Sequence, residues 1–165
     1  TYRQSVERGS EKDLLMDKIH KAYIDQVVRQ RMYARLERAI HERLTTNWTT
    51  TPIKYGDAPF QQPSTEWIAV WIQNIEARQI DLGVTNPLVR HDGQIVLQVF
   101  SPASKGVRLA KQYADTLGAI FAGQQFSAGS SGTIRCRRAT VRTLDAKNGW
   151  AQVNVEIPFS RDKHL

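Results

Sequence analysis

Residues 93–121 read GQIVLQVFSPASKGVRLAKQYADTLGAIF, and a change of period inside them decides the fold. Ile95, Leu97 and Val99 alternate with Gln94, Val96, Gln98 and Phe100, which predicts a strand with one wholly apolar face and one mixed face. Ser101-Pro102 ends the pairing, because proline brings no backbone donor to a ladder. Ser104 is placed to cap a helix beginning just beyond it. From Gly106 the spacing turns helical, and Val107, Ala110, Ala114, Leu117, Ile120 and Phe121 fall on one side. A strand that feeds an amphipathic helix through a short turn lays that helix across its own sheet. This stretch builds a core and contains no catalytic constellation.

Working backward, Trp67–Ile72 is apolar on both faces, which predicts a central strand covered on two sides, or covered by a helix on one and a neighbouring subunit on the other. It continues to about Ala77 or Arg78, and Asp81-Leu82-Gly83 and Asn86-Pro87 interrupt the path to the next strand. His91-Asp92-Gly93 predicts a bulge or tight bend in that strand. Ile53–Tyr55 reads as a short edge strand. Thr45–Pro52 ends a helix, since β-branched residues and a proline resist helical continuation. Upstream, Leu15, Ile19, Ala22 and Tyr23 and later Tyr33, Leu36, Ile40 and Leu44 give helical spacing that starts near Glu11. This is either one helix to about Thr45 or two meeting near Arg31. Residues 1–31 read as a helical arm or extension, 32–161 as the main domain and 162–165 as a polar tail.

Working forward, 123–132 is rich in Gly, Gln, Ser and Ala with Phe126 alone to bury, which predicts a mobile loop. Thr133–Leu144 predicts one strand. A bulge at Arg137-Arg138 would bring Ile134, Cys136, Ala139 and Val141 onto one face. Asn148-Gly149 is a hairpin signal, because both positions accept positive φ. Ala151, Val153, Val155, Ile157 and Phe159 then alternate cleanly. The expected class is α+β, a mostly antiparallel sheet of four to five strands with helices on one face.

The chain has 165 residues, 41% hydrophobic and 24% charged, as an ordinary globular domain does. No apolar run nears the ~20 residues that span a bilayer, so no membrane partner is expected. Cys136 is the one cysteine, which excludes a disulfide framework and a thiolate metal cluster. His20, His41, His91 and His164 lack ligand spacing, and no nucleophile elbow, P-loop or dinucleotide fingerprint occurs. No catalytic residue, metal or cofactor is therefore expected.

The net charge of +7 is concentrated in Lys105, Arg108, Lys111, Arg135, Arg137, Arg138 and Arg142, against Asp115 alone over the same span. These cations suit a nucleic-acid surface, an edge strand protected by charge, or one side of a subunit contact. A single-strand surface wants interleaved aromatics, which 133–144 lacks. Charge protection of an edge strand, or a subunit contact, is the stronger reading. Glu66, Glu76 and Asp81 are the candidate acids of such a contact, and Gln124, Gln125 and Phe126 lie in a loop able to reach a neighbour.

Tyr33–Leu44, then Phe60-x-x-Pro63 leading into Trp67–Ile72, resembles the opening of bacteriophage tail-terminator (tail-completion) proteins, the group of lambda minor tail protein U. Gly93–Phe121, with Val99-Phe100-Ser101-Pro102 and the Gly106 turn, resembles the same family. So does Asn148-Gly149-Trp150 leading into Val153–Phe159. The resemblance runs from about Met32 to Arg161. It implies a non-catalytic virion protein, made in the host cytoplasm. It implies a ring, typically of six copies, on the head-proximal end of the tail tube. Such a ring stops tube polymerisation and presents a surface to the head-side connector or neck protein. Its partners are itself, the tube protein and the connector, with DNA only passing through the channel.

Overall fold

The alternation of Ala151 to Phe159 organises the molecule further than its own strand. The computed structural model describes residues 2–83 and 85–164, with side chains from 12–23, 34–83 and 85–164. The chain divides into two compact units, Thr1–Arg35 and Leu36–Leu165. The first unit is helical. Its residues belong to α1, Tyr2–Asn47, which begins earlier than the expected Glu11 and is one helix rather than two.

The second unit opens with the last turns of α1, Leu36 to Asn47. It continues through β1 (Ile53–Tyr55), β2 (Trp67–Gln79), β3 (Leu88–Pro102) and α2 (Arg108–Phe121). It ends in β4 (Gln125–Ser127), β5 (Thr133–Cys136), β6 (Thr140–Lys147) and β7 (Trp150–His164). The sheet is seven-stranded, more than the four to five expected, in the order β1-β2-β3-β7-β5-β4, with β6 also on β7. β1 pairs parallel with β2 and every other pair is antiparallel.

The added strands arise where sequence parity misled. The span 133–144 is not one bulged strand. β5 pairs β7 at Phe159–Asp162, β6 pairs it at Gln152–Glu156, and Arg137–Ala139 steps between them. The Arg137 N–H still donates to the Pro158 carbonyl at 2.8 Å, so the step stays anchored to the same strand. The expected loop at 123–132 contains β4 and a 3-10 turn, Gly129–Ser131, and it buries Ala128 and Ser131 as well as half-burying Phe126. The expected polar tail is also strand. β7 runs through His164, and Arg161 is buried on the core face as the next step of the alternation.

Register places Ile68, Val70, Ile95, Leu97, Val99, Val153, Val155, Ile157 and Phe159 on one face of the sheet. α2 covers it with Ala110, Ala114, Leu117 and Phe121, and the end of α1 with Leu36, Ile40 and Leu44. Each large side chain so buried contributes roughly 1.5–3 kcal/mol. α2 begins after Val107, and no side chain caps it; Ser104 lies in a 3-10 turn instead.

The second apolar face of β2 is covered from within the unit. Trp67 stacks on Phe100 at 4.1 Å between ring centroids and meets Trp150 edge-on at 6.1 Å, with Phe60 at 5.4 Å. Trp71 donates from Nε1 to Gln98 Oε1 at 2.9 Å. The β2–β3 bulge sits opposite the expected place. Asn74 pairs Gly93 and Glu76 pairs Asp92, so Ile75 on β2 is the extra residue.

Candidate functional site

Of the cations singled out by sequence, Arg135, Arg137, Arg138 and Arg142 lie on the β5–β6 side of β7, and of the acids Glu76 and Asp81 lie at the β2 side of the sheet. Arg135 is on β5, where it pairs Gln125 of β4, the last strand on that side. Arg137 and Arg138 occupy the step between β5 and β6, both exposed and without an ion-pair partner among the described residues. The Arg137 carbonyl accepts from the Gly123 N–H at 3.2 Å, and the Gln124 carbonyl accepts from the Cys136 N–H at 2.9 Å. These backbone bonds tie the turn after α2 to β5 and bring Gln124, Gln125 and the arginines to one rim.

Two of the four arginines are engaged inside the chain. Arg135 Nη1 lies 3.7 Å from Asp162 Oδ2, and Arg142 Nη2 lies 3.6 Å from Glu156 Oε2. Lys105 is engaged as well, 3.0 Å from Glu66. Three of the seven cations between Ser101 and Arg142 are thus ion-paired, and the seven form no single basic face. Phe126 is no free contact residue either. It packs near Phe121 at 6.1 Å, and the Arg43 guanidinium sits 5.1 Å from its ring centroid. Arg43 is fixed there by donating from Nε to the Ile120 carbonyl at 2.9 Å.

The acids have different fates. Glu66 is largely covered, and hydrogen bonds from its own backbone and then Lys105 hold its carboxyl below the usual range. Asp81 accepts from the Leu88 N–H at 3.0 Å and so closes the end of the β2–β3 hairpin. Glu76 is exposed on β2. Since β1 reaches only to Val70, the edge of β2 beyond it is open. The end of this hairpin leaves Ile75, Ile80 and Leu82 exposed, Leu82 at 99%.

Register joins the two sides. Glu76, Asp92, Ser160, Arg135 and Gln125 form one row across the sheet, from the open edge of β2 to the open edge of β4. The row thus ends in Glu76 on one side and in the neutral Gln125 on the other, with Arg135 one strand in.

Sequence reasoning missed the strongest polar contact. Arg90 of β3 donates from Nε and Nη2 to the two oxygens of Asp162 on β7 at 2.8 and 2.9 Å. With Arg135 on the far side, Asp162 links three strands. The hydrogen bonds from Arg90 hold its carboxyl below the usual range. The continuing alternation past Phe159 was the available signal.

Among the described residues no group of three His, Cys, Asp or Glu could hold a metal ion. No helix is long and apolar enough to cross a membrane. Burial pushes the Cys136 thiol up to about 12, which leaves it almost wholly protonated at neutral pH. His91 is lowered by burial and by Arg161 and Lys163 nearby.

No curated protein matches the chain. One solved structure aligns over 78% of this chain and 94% of its own, with a TM-score of 0.61 at 18% identity, a likeness of fold. The family model described as phage tail terminator protein matches residues 35–159. That span holds the last turns of α1, the covering helix α2 and nearly all of the sheet. The chain belongs to the phage tail terminator family, whose members are structural proteins of the phage tail.

Proposed function

We propose that the protein caps the head-proximal end of the tail tube as a closed ring of identical copies, six in number. The ring ends tube polymerisation and offers the head-side connector a surface to join. The observation that supports this reading is the placement of two exposed arginines, without an ion-pair partner among the described residues, on the β5–β6 side of the sheet and of exposed Glu76 on its β2 side. A closed ring repeats a single head-to-tail contact, so each copy needs two different, complementary sides. Arg137 and Arg138 supply the basic side, and Glu76 on the open edge of β2 supplies an acid, with Asp81 beyond it. Glu66 is occupied by Lys105 and takes no part. Charges at such a rim steer and orient copies more than they hold them, and assembly weakens with salt.

Reversal of both free arginines, Arg137→Glu with Arg138→Glu, tests the contact. Both side chains are exposed, so the monomer should keep its melting temperature, while tails made with it should lose their uniform length in electron micrographs. Tails of normal length that join heads would remove the charged contact from the account. A two-fold dimer on native tails would remove the ring.

A further inference from the structure

The first unit carries apolar surface that its own helix does not bury. Leu15, Ile19 and Tyr23 follow one another at four-residue steps on one face of α1, exposed at 59%, 56% and 64%. At ~100° per residue Lys18 falls on one flank of this stripe and Asp13 on the other, and Lys12 closes its N-terminal end. The core cluster of the second unit begins, among the described residues, at Leu36.

The second unit has an unfilled groove between α2 and β6, of about 420 Å³. Ala139 and Val141 floor it, and Val141 is left 44% exposed although its register partner Val155 is fully buried. Asp115 of α2 and Arg138 of the step before β6 both line it. An apolar floor between one acid and one base matches an apolar stripe between one base and one acid.

We propose that the Leu15–Ile19–Tyr23 face docks in the α2–β6 groove of a second copy of this chain, with Lys18 toward Asp115 and Asp13 toward Arg138. The inference rests on the ring reading only for its repetition around the ring. The arm precedes the span matched by the family, and it adds a second tie between neighbours beside the charged rim.

Two batches of full-length protein test it, one carrying Ile19→Cys and the other Val141→Cys, distinguished by mass. Native Cys136 is buried and protonated, so it adds little background. On mixing and mild oxidation, disulfide-linked pairs joining the two batches should exceed same-batch pairs roughly tenfold, because docking raises the local thiol concentration. Adding Leu15→Asp to the first batch should abolish that excess, and its exposed position leaves the fold intact. Dominant Ile19→Cys self-pairs would replace the proposal with helix–helix pairing. A dilute chain carrying both cysteines that closes on itself would show the arm serving its own groove. A ring of the expected mass without the mixed pair would overturn the docking and leave the ring. Mixed pairs without any closed ring would keep the docking and sink the ring.

Discussion

A Cβ on Gly93 would lie 2.4 Å from Phe159 Cζ and 2.6 Å from the Gln73 carbonyl oxygen. The glycine is needed because Phe159, its partner across β3 and β7, lies over it, while the Ile75 bulge brings the backbone of β2 close. Neither neighbour is a flexible side-chain end. Gly93→Ala should therefore cost about 1–3 kcal/mol through overpacking, read as a lower melting temperature. An unchanged melt would mean that Phe159 swings aside without loss. At this scale the sequence located the irregularity but assigned it to the wrong strand. A glycine beside a bulge and a glycine within one look alike until the register is known. Cys136 was legible, since a lone small apolar residue on a strand has little choice but burial.

At the scale of elements, punctuation was easy to read and parity was not. Asn148 and Gly149 have φ of 53° and 79°, both left-handed, as a type I′ turn requires. Gly149→Val should cost about 1–3 kcal/mol, because a β-branched residue resists that conformation whatever room surrounds it. Nothing lies within 4 Å of the new Cβ, so a loss of stability would report backbone strain rather than a clash. A melt equal to that of the native protein would assign the turn to another type. The switch from strand to helix was equally plain, because its period changes within a few residues, although β3 stays paired through Ser101 and Pro102, where the pairing was expected to end. The break between β5 and β6 was hidden. A single parity shift is what both a bulge and a change of pairing site produce, and only the length of β7 distinguishes them. The arginine rim was half legible. Sequence identified the cations but not that Asp162 and Glu156 neutralise Arg135 and Arg142.

Across the whole molecule, the sheet is held together by β7, which pairs β3 along its length on one side and β5 and β6 on the other. Asp162 fastens one end of this arrangement. Its folded-state value is depressed, so the stabilisation is present above the carboxylate range of the unfolded chain and is lost as pH falls through the folded value. Asp162→Asn should therefore melt below the native protein at pH 7, and the gap should close as the pH is lowered through the acid range. A gap that stays constant with pH would take the charge out of the explanation. The class and the order of the main elements could be read from sequence because hydrophobic period is local. The fork at β7 could not, because it depends on which distant strands share one partner. That fork has a consequence for biosynthesis. Every strand that β7 joins is made before it, and without it β2–β3 and β4–β5 have no bridge. A nascent chain emerging from the ribosome can form its helices and its first hairpin early, but the sheet closes only after synthesis has passed His164. Until then the side of the sheet that carries Arg137 and Arg138 is unbuilt, because β5 and β6 have only β7 to hold them in register with each other.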